Sequence, residues 1–553
     1  MDPVRPETPA RHAWFVVALA VLAFVNAIDS GFVYDDLPFV QSNASVVGDA
    51  GIFTEATPPQ RVDLGLYRPW TVWTYWVQYS LHGLEPLWFH VVNVLLHALV
   101  SWQVLRVARR IGATAGTALA AAAMFAVHPI HVEAVAWIVG RAELLAAAFA
   151  LAAVSLHGRP TDARVMRGPT LAAVAYAFAC LAKETALPWP AALFLLDVVH
   201  RDGASWRTVF ARQIPLAIAC AAVCAARLAV LGHFAPDPTL PDLAAIQETS
   251  RGALFLGVCG RWLMSLVWPA DASIYYNPAR FVEAPALVRG MIAIALAVFL
   301  AVIAWRRRAR TLGCGLALAV VAAVPFLQIV PIGAVFGDRF VYLGSVGFVV
   351  AVAALLPIDA TRPAARMTAR AIVAIVVVTG VAATWIRNPA FRNAVALWKA
   401  AIDAAPGEAL PHYHVGRIYF ERGQLEYQSA DLKGAVFHLQ ESLRIDPHHE
   451  WAGSAHVTLG ECAAGKRGDP LQKHVDAFTA AEHYRAAIPL LGADPTDALL
   501  DLAALHRTDA VEADEARLVL DAVLRIGRDA AAIENARKIL AEIEADAALA
   551  PAK

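Results

Sequence analysis

Long apolar runs fill the first 388 residues of this 553-residue chain, and they constrain its fold more than any other feature. Inside lipid, backbone polar groups must be satisfied within the protein, and a helix satisfies them within one segment. Hydrophobic residues make up 58% of the chain, against roughly 45–50% in soluble domains. After residue 388 the sequence becomes mixed and charged. The chain is therefore predicted to be all-α, with a polytopic membrane domain at 1–388 and a helical domain at 389–553.

Eleven of the apolar runs are candidate membrane spans. Several are shorter than the roughly 20 residues that a crossing helix needs, so we expect them to extend into their flanks. A further run, 252–268, is predicted to be re-entrant or interfacial, because a full crossing would reverse the side of every later loop. The candidates are 13–29, 87–105, 113–127, 142–157, 170–182, 185–200, 213–231, 287–305, 312–330, 340–357 and 371–386.

Arginine-rich loops set the predicted orientation, because every second loop is basic. Examples are the cluster at Arg106, Arg109 and Arg110 and the motif "WRRRAR" at 305–310. Since cytoplasmic loops carry an excess of Lys and Arg, these loops and the N-terminus are predicted to be cytoplasmic. Eleven crossings then place residues 389–553 on the outer face, and we expect a multi-pass protein of a bacterial inner membrane.

Charge and cysteine content argue against two classes of function. The formal net charge is −1, so the chain has no basic field of the kind that binds nucleic acid. The six cysteines are scattered singly, without the spacing of a metal site. We therefore expect membrane lipid, and not nucleic acid, as a partner.

Helical repeats are indicated in the C-terminal part. The stretches "HYHVGRIYFERG" (412–423) and "GAVFHLQESLRIDP" (434–447) resemble the first and second helices of a tetratricopeptide repeat (TPR). A second, looser unit reaches Pro495, and a degenerate third reaches about residue 543. Helix pairs of this kind stack into an α-solenoid with a concave binding surface. The tail is therefore predicted to bind an extended partner.

Polar side chains concentrate at the predicted outer ends of the spans, where ionisable groups are costly and are often functional. Lys183 is the only lysine before Lys399. The candidates are Asp35, Asp36, Arg68, His90, Asn93, His97, His128, His131, Glu133, Arg141, Glu143, Lys183, Glu184, Asp338, Arg339 and Tyr342.

Structural explanations compete with a functional one for two of these groups. His90, Asn93 and His97 share one helix face and would equally serve as hydrogen-bond links between spans. The adjacent residues Lys183 and Glu184 would equally lie at the lipid interface with their charges in water.

Two further groups also have alternatives. The pattern His128-x-x-His131-x-Glu133 would suit a divalent metal, although Pro129 interrupts it and the spacing matches no standard helical motif. The aspartates after the first span would equally cap the following loop.

A resemblance emerges when these motifs are taken in chain order. They are "YDD" after the first span, "YRPW" (67–70), "FHVVNVLLH", "HPIHVEAVAWIVGRAELL", "KET" and "DRFVYLGSVGF", followed by the repeats. The chain resembles the bacterial-type members of the transmembrane-and-TPR-repeat-containing O-mannosyltransferases, within the C-type glycosyltransferase superfamily. Where the family has Pro-Ser after an Arg-Tyr-Leu-Tyr core, this chain has Gly344-Ser345, and Phe340 replaces the first tyrosine.

The resemblance implies inverting transfer of a sugar, mannose, from a polyprenyl-phosphate donor to a Ser or Thr hydroxyl of a protein bound by the repeats. Asp35 or Asp36 would be the general base, with a slight preference for Asp36. Cations are needed where charge develops on the leaving phosphate. No cofactor is expected, although a divalent metal is possible. The implied donor and substrate contacts are Arg68, His90, Asn93, His128, His131, Glu133, Arg141, Lys183, Glu184, Arg339 and Tyr342.

Two other classes of protein are alternatives to this hypothesis. A non-catalytic, membrane-anchored TPR scaffold or chaperone would explain the tail but would leave the costly polar residues without a role. A transporter would favour polar residues near the bilayer midplane and an inverted repeat, and the sequence shows neither.

Overall fold

The computed structural model describes residues 10–48, 51–59, 64–158, 160, 166–233, 246, 249–329, 332–426, 429–464, 476–491, 495–505, 511–526 and 529–549. Every regular element in these ranges is helical, which confirms the predicted all-α class. The chain divides into two compact units, Met1–Leu397 and Trp398–Lys553.

The first unit contains seventeen of the described α-helices, the last of which runs across the division between the units. They are α1 (Ala10–Phe24), α2 (Ala44–Val47), α3 (Pro69–His82), α4 (Pro86–Arg110), α5 (Ala115–Ala126), α6 (Val132–Val135), α7 (Arg141–His157), α8 (Arg167–Ala182), α9 (Trp189–Val199), α10 (Trp206–Ala211), α11 (Ile214–Leu231), α12 (Arg251–Val267), α13 (Ala284–Arg306), α14 (Arg310–Ala323), α15 (Tyr342–Leu355), α16 (Pro363–Arg387) and α17 (Ala394–Ala404).

Seven described helical segments are long and apolar enough to cross a membrane, so this is a multi-pass membrane protein. An eighth is added if α5 and the segment Pro129–Val135, bent by 47° relative to each other, form one span. Proline removes a backbone donor and disfavours helix in the residue before it, which accounts for the break at Pro129. The seven are Ala10–Ala27, Pro86–Arg110, Ile138–His157, Trp206–Leu231, Ala284–Arg306, Asp338–Leu355 and Pro363–Phe391.

Three more predicted spans form helices shorter than a full crossing. The runs at 170–182, 185–200 and 312–330 overlap α8, α9 and α14, of 16, 11 and 14 residues, and residue 330 is outside the described ranges. Helix α8 stops because Lys183 adopts an extended backbone conformation (φ −156°, ψ 131°). The run at 252–268 forms α12, of 17 residues, and its re-entrant placement stays a prediction.

Small residues bring helices of the membrane unit close together. A Cβ atom added to Gly347 in α15 would lie 2.3 Å from the Gly315 carbonyl oxygen of α14 and 2.3 Å from the Ala319 nitrogen. Close approach of this kind strengthens van der Waals packing between helices, because lipid supplies no hydrophobic force between them. The many alanines of the apolar runs therefore serve packing as well as hydropathy.

The division between the units lies after Leu397, whereas the sequence prediction placed the boundary after residue 388. Phe391 and Leu397 belong to the buried core of the first unit. The Asn388 side-chain amide donates a hydrogen bond to the Ala23 carbonyl oxygen, at 3.0 Å. Residues 389–397 thus complete the membrane unit.

The second unit continues with antiparallel helix pairs. In α18 Gly416 faces Leu439 of α19, and in α20 Gly460 faces Tyr484 of α21. The same kind of glycine contact therefore occurs in each of two successive helix pairs. This arrangement is a helical-repeat architecture, as predicted. The remaining helices are α18 (Ala409–Glu426), α19 (Ser429–Ile445), α20 (Ala452–Ala464), α21 (Ala477–Ala487), α22 (Thr496–Ala504), α23 (Ala513–Ile526) and α24 (Ala530–Leu549).

Candidate active site

Asp36 is a fully buried carboxylate that fixes the loop after α1. Its Oδ2 accepts a hydrogen bond from the Val33 N–H at 3.0 Å, and its Oδ1 accepts one from the Val139 N–H at 2.9 Å. Burial raises the pKa of Asp36 well above its ordinary value, although both backbone hydrogen bonds oppose the shift. Both carboxylate oxygens of Asp36 thus accept hydrogen bonds from backbone N–H groups, which agrees with the alternative that this residue caps the loop.

Asp35 differs from its neighbour because it is only half-buried. Tyr34, which precedes it, has φ +48°, a left-handed conformation that costs energy in a non-glycine residue. The Asp35 carboxylate lies close enough to the Arg339 guanidinium for their charges to interact. A cation lies near each aspartate, Arg339 for Asp35 and Arg141 for Asp36, so exposure is what separates the two predicted bases: only Asp35 is partly exposed.

Arg339 pairs with Glu133, a residue 206 positions away in sequence. The NH1 group of Arg339 donates to the Glu133 carboxylate, and the Arg339 backbone N–H donates to Glu133 Oε2 at 3.0 Å. The guanidinium also lies over the Trp137 ring, 5.0 Å from its centroid. Its Nε–H and NH2 donors have no hydrogen-bond partner among the described residues, so they remain available to a ligand.

Two more ion pairs adjoin this one. Arg68 donates to Glu184 through Nε and NH2, at 3.0 and 2.6 Å. Burial disfavours the Glu184 carboxylate, but Arg68 outweighs burial and lowers the pKa of Glu184 to about 2. Lys183 pairs with Glu143 in the interior, where burial lowers the pKa of Lys183. Lys183 is therefore not at a lipid interface, which removes that alternative for it.

Together these residues form one ion-pair cluster, because the charge of Lys183 acts on Arg68, Arg339 and Glu184 as well as on Glu143. Arg339 has the most exposed side chain of the three cations, at 21% against 13% for Arg68 and 5% for Lys183. The ion-pair cluster consists of Asp35, Arg68, Glu133, Glu143, Lys183, Glu184 and Arg339.

The Lys183–Glu143 pair gives a direct prediction about stability. Lys183→Met leaves Glu143 buried without its cation, and we expect a loss of about 3–5 kcal/mol. Adding Glu143→Leu should recover most of it, because no uncompensated charge then remains. The measurement is the free energy of unfolding in detergent. Arg310→Met is the control: it breaks an exposed pair with Asp202 and should cost less than about 1 kcal/mol. A double variant as unstable as the single one would contradict the prediction.

Arg141, predicted to contact donor phosphate, is fully buried, its hydrogen-bond acceptors are neutral, and its charge interacts with that of Asp36. Its Nε donates to Asn93 Oδ1 and its NH2 donates to the Phe89 carbonyl oxygen, both at 2.9 Å. The Asn93 amide in turn donates to the Trp137 carbonyl oxygen at 3.0 Å. Arg141 and Asn93 therefore organise the backbone that carries Val139, the partner of Asp36.

Contacts at hydrogen-bond distance within the protein also involve Tyr342 and three of the four candidate histidines. His97 Nδ1 lies 2.8 Å from the Tyr342 hydroxyl, and His131 Nε2 lies 2.8 Å from Ser345 Oγ. His128 Nε2 lies 2.9 Å from the Leu266 carbonyl oxygen, and His90 is buried. The alternative of hydrogen-bond links between helices thus accounts for His97, whereas neither ring nitrogen of the buried His90 has a hydrogen-bond partner among the described residues.

The His128–His131–Glu133 pattern does not assemble as a metal site. His131 is engaged by Ser345 and Glu133 by Arg339. Among the residues that the structure describes, no group of three or more His, Cys, Asp or Glu side chains is arranged to hold a metal ion.

A second buried group surrounds Asp338, a candidate from the sequence whose partners the sequence did not indicate. The Tyr276 hydroxyl donates to its carboxylate at 2.7 Å, and Arg387 NH2 donates at 3.3 Å. Arg261 NH2 lies 3.8 Å from the same carboxylate. A lone arginine inside the apolar run at 252–268 was the available signal, since such charges need a partner. The group ties α12 and α16 to the segment that carries Arg339.

The small size of Gly344 has a packing reason. A Cβ atom there would lie 1.9 Å from the Trp262 ring of α12. No larger residue fits while Trp262 holds that position. The hydroxyl of the next residue, Ser345, donates a hydrogen bond to the Tyr342 carbonyl oxygen at 2.7 Å.

The fold and these contacts define the class: a multi-pass, all-α membrane protein with a charged cluster between its helices and a helical-repeat unit. No family model matches the chain, and no solved structure matches it. The chain is similar to a protein O-mannosyl-transferase of Caenorhabditis elegans, with 24% identity over 461 residues, or 80% of this chain and 63% of the relative.

Shorter stretches are more similar to other relatives of the same description. Identity is 35% over 193 residues to one protein O-mannosyl-transferase of Drosophila melanogaster, covering 34% of this chain and 22% of the relative. It is 40% over 147 residues to a second from the same organism, covering 24% of this chain and 15% of that relative. The chain thus spans less than two thirds of the length of these curated relatives.

Proposed function

We propose that this chain is a membrane glycosyltransferase that moves mannose from a polyprenyl-phosphate donor to Ser or Thr hydroxyls of proteins. The observation that carries the proposal is the half-buried Asp35 beside Arg339, inside the ion-pair cluster. The similarity to protein O-mannosyl-transferases supports both the reaction and the protein acceptor. The reaction would take place on the outer face and invert the anomeric centre.

Asp35 would act as the general base. Its carboxylate takes the proton of the acceptor hydroxyl while that oxygen attacks the anomeric carbon, and the bond to the donor phosphate breaks. The sequence favoured Asp36 slightly, but both Asp36 oxygens accept backbone hydrogen bonds in the interior. A base must reach the acceptor hydroxyl, so the geometry supports Asp35.

Arg339 would stabilise the leaving polyprenyl phosphate, which gains about one negative charge as the bond breaks. The ion-pair cluster contains three cations and four carboxylates, so it offers no net positive field. Directed N–H donors must therefore hold the phosphate. Arg339 supplies them through Nε and NH2, while Glu133 keeps the guanidinium in place through NH1.

Transfer is expected to need no divalent metal, because the N–H donors of Arg339 can hold a monophosphate leaving group without one. Mannose transfer by the purified protein to a short Ser/Thr peptide, an acceptor that should not need the repeats, should be unchanged in EDTA. Activity that is lost in EDTA and restored by Mg²⁺, Mn²⁺ or Zn²⁺ would show that a metal takes part.

The outer-face placement predicts the topology of both ends. The N-terminus should be cytoplasmic and residue Lys553 outside, because the arginine-rich loops alternate with the polar ones. Fusions of alkaline phosphatase and of a cytoplasmic fluorescent reporter, each joined after residue 397 and after residue 553, measure this. Cytoplasmic signals from both positions would overturn the placement of the repeats.

The proposed activity is tested by glycopeptide mass analysis of exported proteins from cells with and without the chain. Hexose on Ser or Thr should disappear without the chain and return with the wild type, but not with Asp35→Asn. A non-catalytic scaffold would leave the same glycopeptides restored by both versions.

A further inference from the structure

Two histidines face each other across the first helix pair of the second unit. His412 of α18 and His438 of α19 have their Nδ1 atoms 3.0 Å apart and their ring centroids 5.2 Å apart. His412 is buried and His438 is half-buried. Two nitrogens of the same kind thus point at one position between the helices.

The next helix pair repeats this arrangement. His456 of α20 and His483 of α21 have Nδ1 atoms 3.1 Å apart and ring centroids 5.3 Å apart. In each pair the first histidine lies four residues before the glycine that receives the partner helix, Gly416 or Gly460. The second histidine directly precedes the residue that contacts that glycine. The two histidine pairs therefore occupy the same register of consecutive repeats.

Packing alone does not explain this choice of residue. The repeat pattern places Trp four residues before the glycine, and that large apolar ring would fill the space between the helices. Both repeats instead have His at this position and add a second His opposite it. A polar group in the interior is costly unless it is bonded. Two rings arranged Nδ1 to Nδ1 satisfy each other only while one proton lies between them.

The same geometry suits a metal ion in place of that proton. A zinc–imidazole bond is about 2.0–2.1 Å long, so two nitrogens on one tetrahedral ion lie about 3.4 Å apart. The rings would need to separate by only a few tenths of an ångström. Neutral imidazole is the form that ligates metals, and an ordinary histidine is largely neutral near pH 7.

We propose that each histidine pair binds one borderline transition-metal ion, of the Zn²⁺ and Cu²⁺ class, and so clamps the two helices of its repeat. Each ion has two protein ligands, in keeping with the absence of larger ligand groups among the described residues. Its remaining positions are open to water or to a group from a bound polypeptide. Imidazole favours Zn²⁺ and Cu²⁺ over Mg²⁺ and Ca²⁺, so the sites should not bind Mg²⁺ or Ca²⁺.

The test is equilibrium dialysis of the full, tag-free chain in detergent against ZnCl₂ at pH 7.5, with excess MgCl₂ present. His412→Gln and His456→Gln should each lose one bound ion relative to wild type, and the double variant should lose both. His448→Gln is the matched control, because His448 is an exposed histidine of the same unit and should leave the count unchanged. Equal zinc binding by wild type and double variant would overturn the proposal.

A second measurement needs no variant and so does not depend on its folding. Electron paramagnetic resonance of Cu²⁺ added to the wild-type chain should show hyperfine coupling to two imidazole nitrogens. Coupling to no nitrogen or to one would mean that the paired rings only pack and share a proton. Neither experiment involves mannose transfer, so its outcome is independent of the proposed reaction.

Discussion

Asp35→Asn is expected to abolish mannose transfer while leaving the protein folded and able to bind its donor. The amide keeps the size of the carboxylate but cannot take the proton of the acceptor hydroxyl. General-base catalysis typically contributes about 10²–10⁴-fold in rate, so kcat should fall by that factor. The decisive measurement is kcat for transfer to a peptide, taken together with donor binding to the same preparation.

Asp36→Asn should behave in the opposite way. An amide has one oxygen, so either the Val33 N–H or the Val139 N–H would face an NH₂ group instead of an acceptor. An unsatisfied buried group of this kind costs about 1–3 kcal/mol. We expect a less stable protein whose folded fraction still transfers mannose. Asp29→Asn serves as control, because the Asp29 side chain is 77% exposed. Loss of turnover in Asp36→Asn with normal turnover in Asp35→Asn would show that Asp36, and not Asp35, is the general base.

Removing the second unit, residues 398–553, is expected to abolish transfer to a folded or full-length protein acceptor. The repeats would hold the acceptor at a distance from the reacting hydroxyl, and such remote binding contributes to the rate at the reacting centre. A loss of about 100-fold or more follows if that interaction is worth several kcal/mol. Donor binding and transfer to a short Ser/Thr peptide should persist, because the core of the membrane unit includes residues up to Leu397.

The position of the cut supplies the control for this truncation. Ending the chain after residue 388 also removes Phe391 and Leu397, two buried side chains of the first unit. Each contributes about 1.5–3 kcal/mol by its burial, so this shorter protein should lose donor binding and stability as well. If the chain that ends at Leu397 loses donor binding to the same extent, the repeats do not act on the acceptor alone.

Local pattern determined much of the fold. Apolar runs of helical length predicted the membrane helices because hydropathy over one segment decides whether that segment enters lipid. The spacing of Gly416 and Tyr419 predicted the helix pair, because such contacts lie between neighbours in sequence. The same local view placed the ends of α9 and α14 too far out, because prolines in their flanks and not hydropathy set those ends.

Long-range packing decided the candidate site. In sequence Asp35 and Asp36 are adjacent and chemically identical. In the structure Asp36 is buried and accepts a hydrogen bond from the Val139 N–H, 103 residues away, whereas Asp35 lies beside Arg339. Arg141 was predicted from the sequence to be a phosphate ligand. In the structure it donates hydrogen bonds to Asn93 and to the Phe89 carbonyl oxygen. Sequence determined which residue types were present at the helix ends. Tertiary structure decided which of them are exposed, because the burial of a side chain depends on segments that hydropathy and spacing do not bring together.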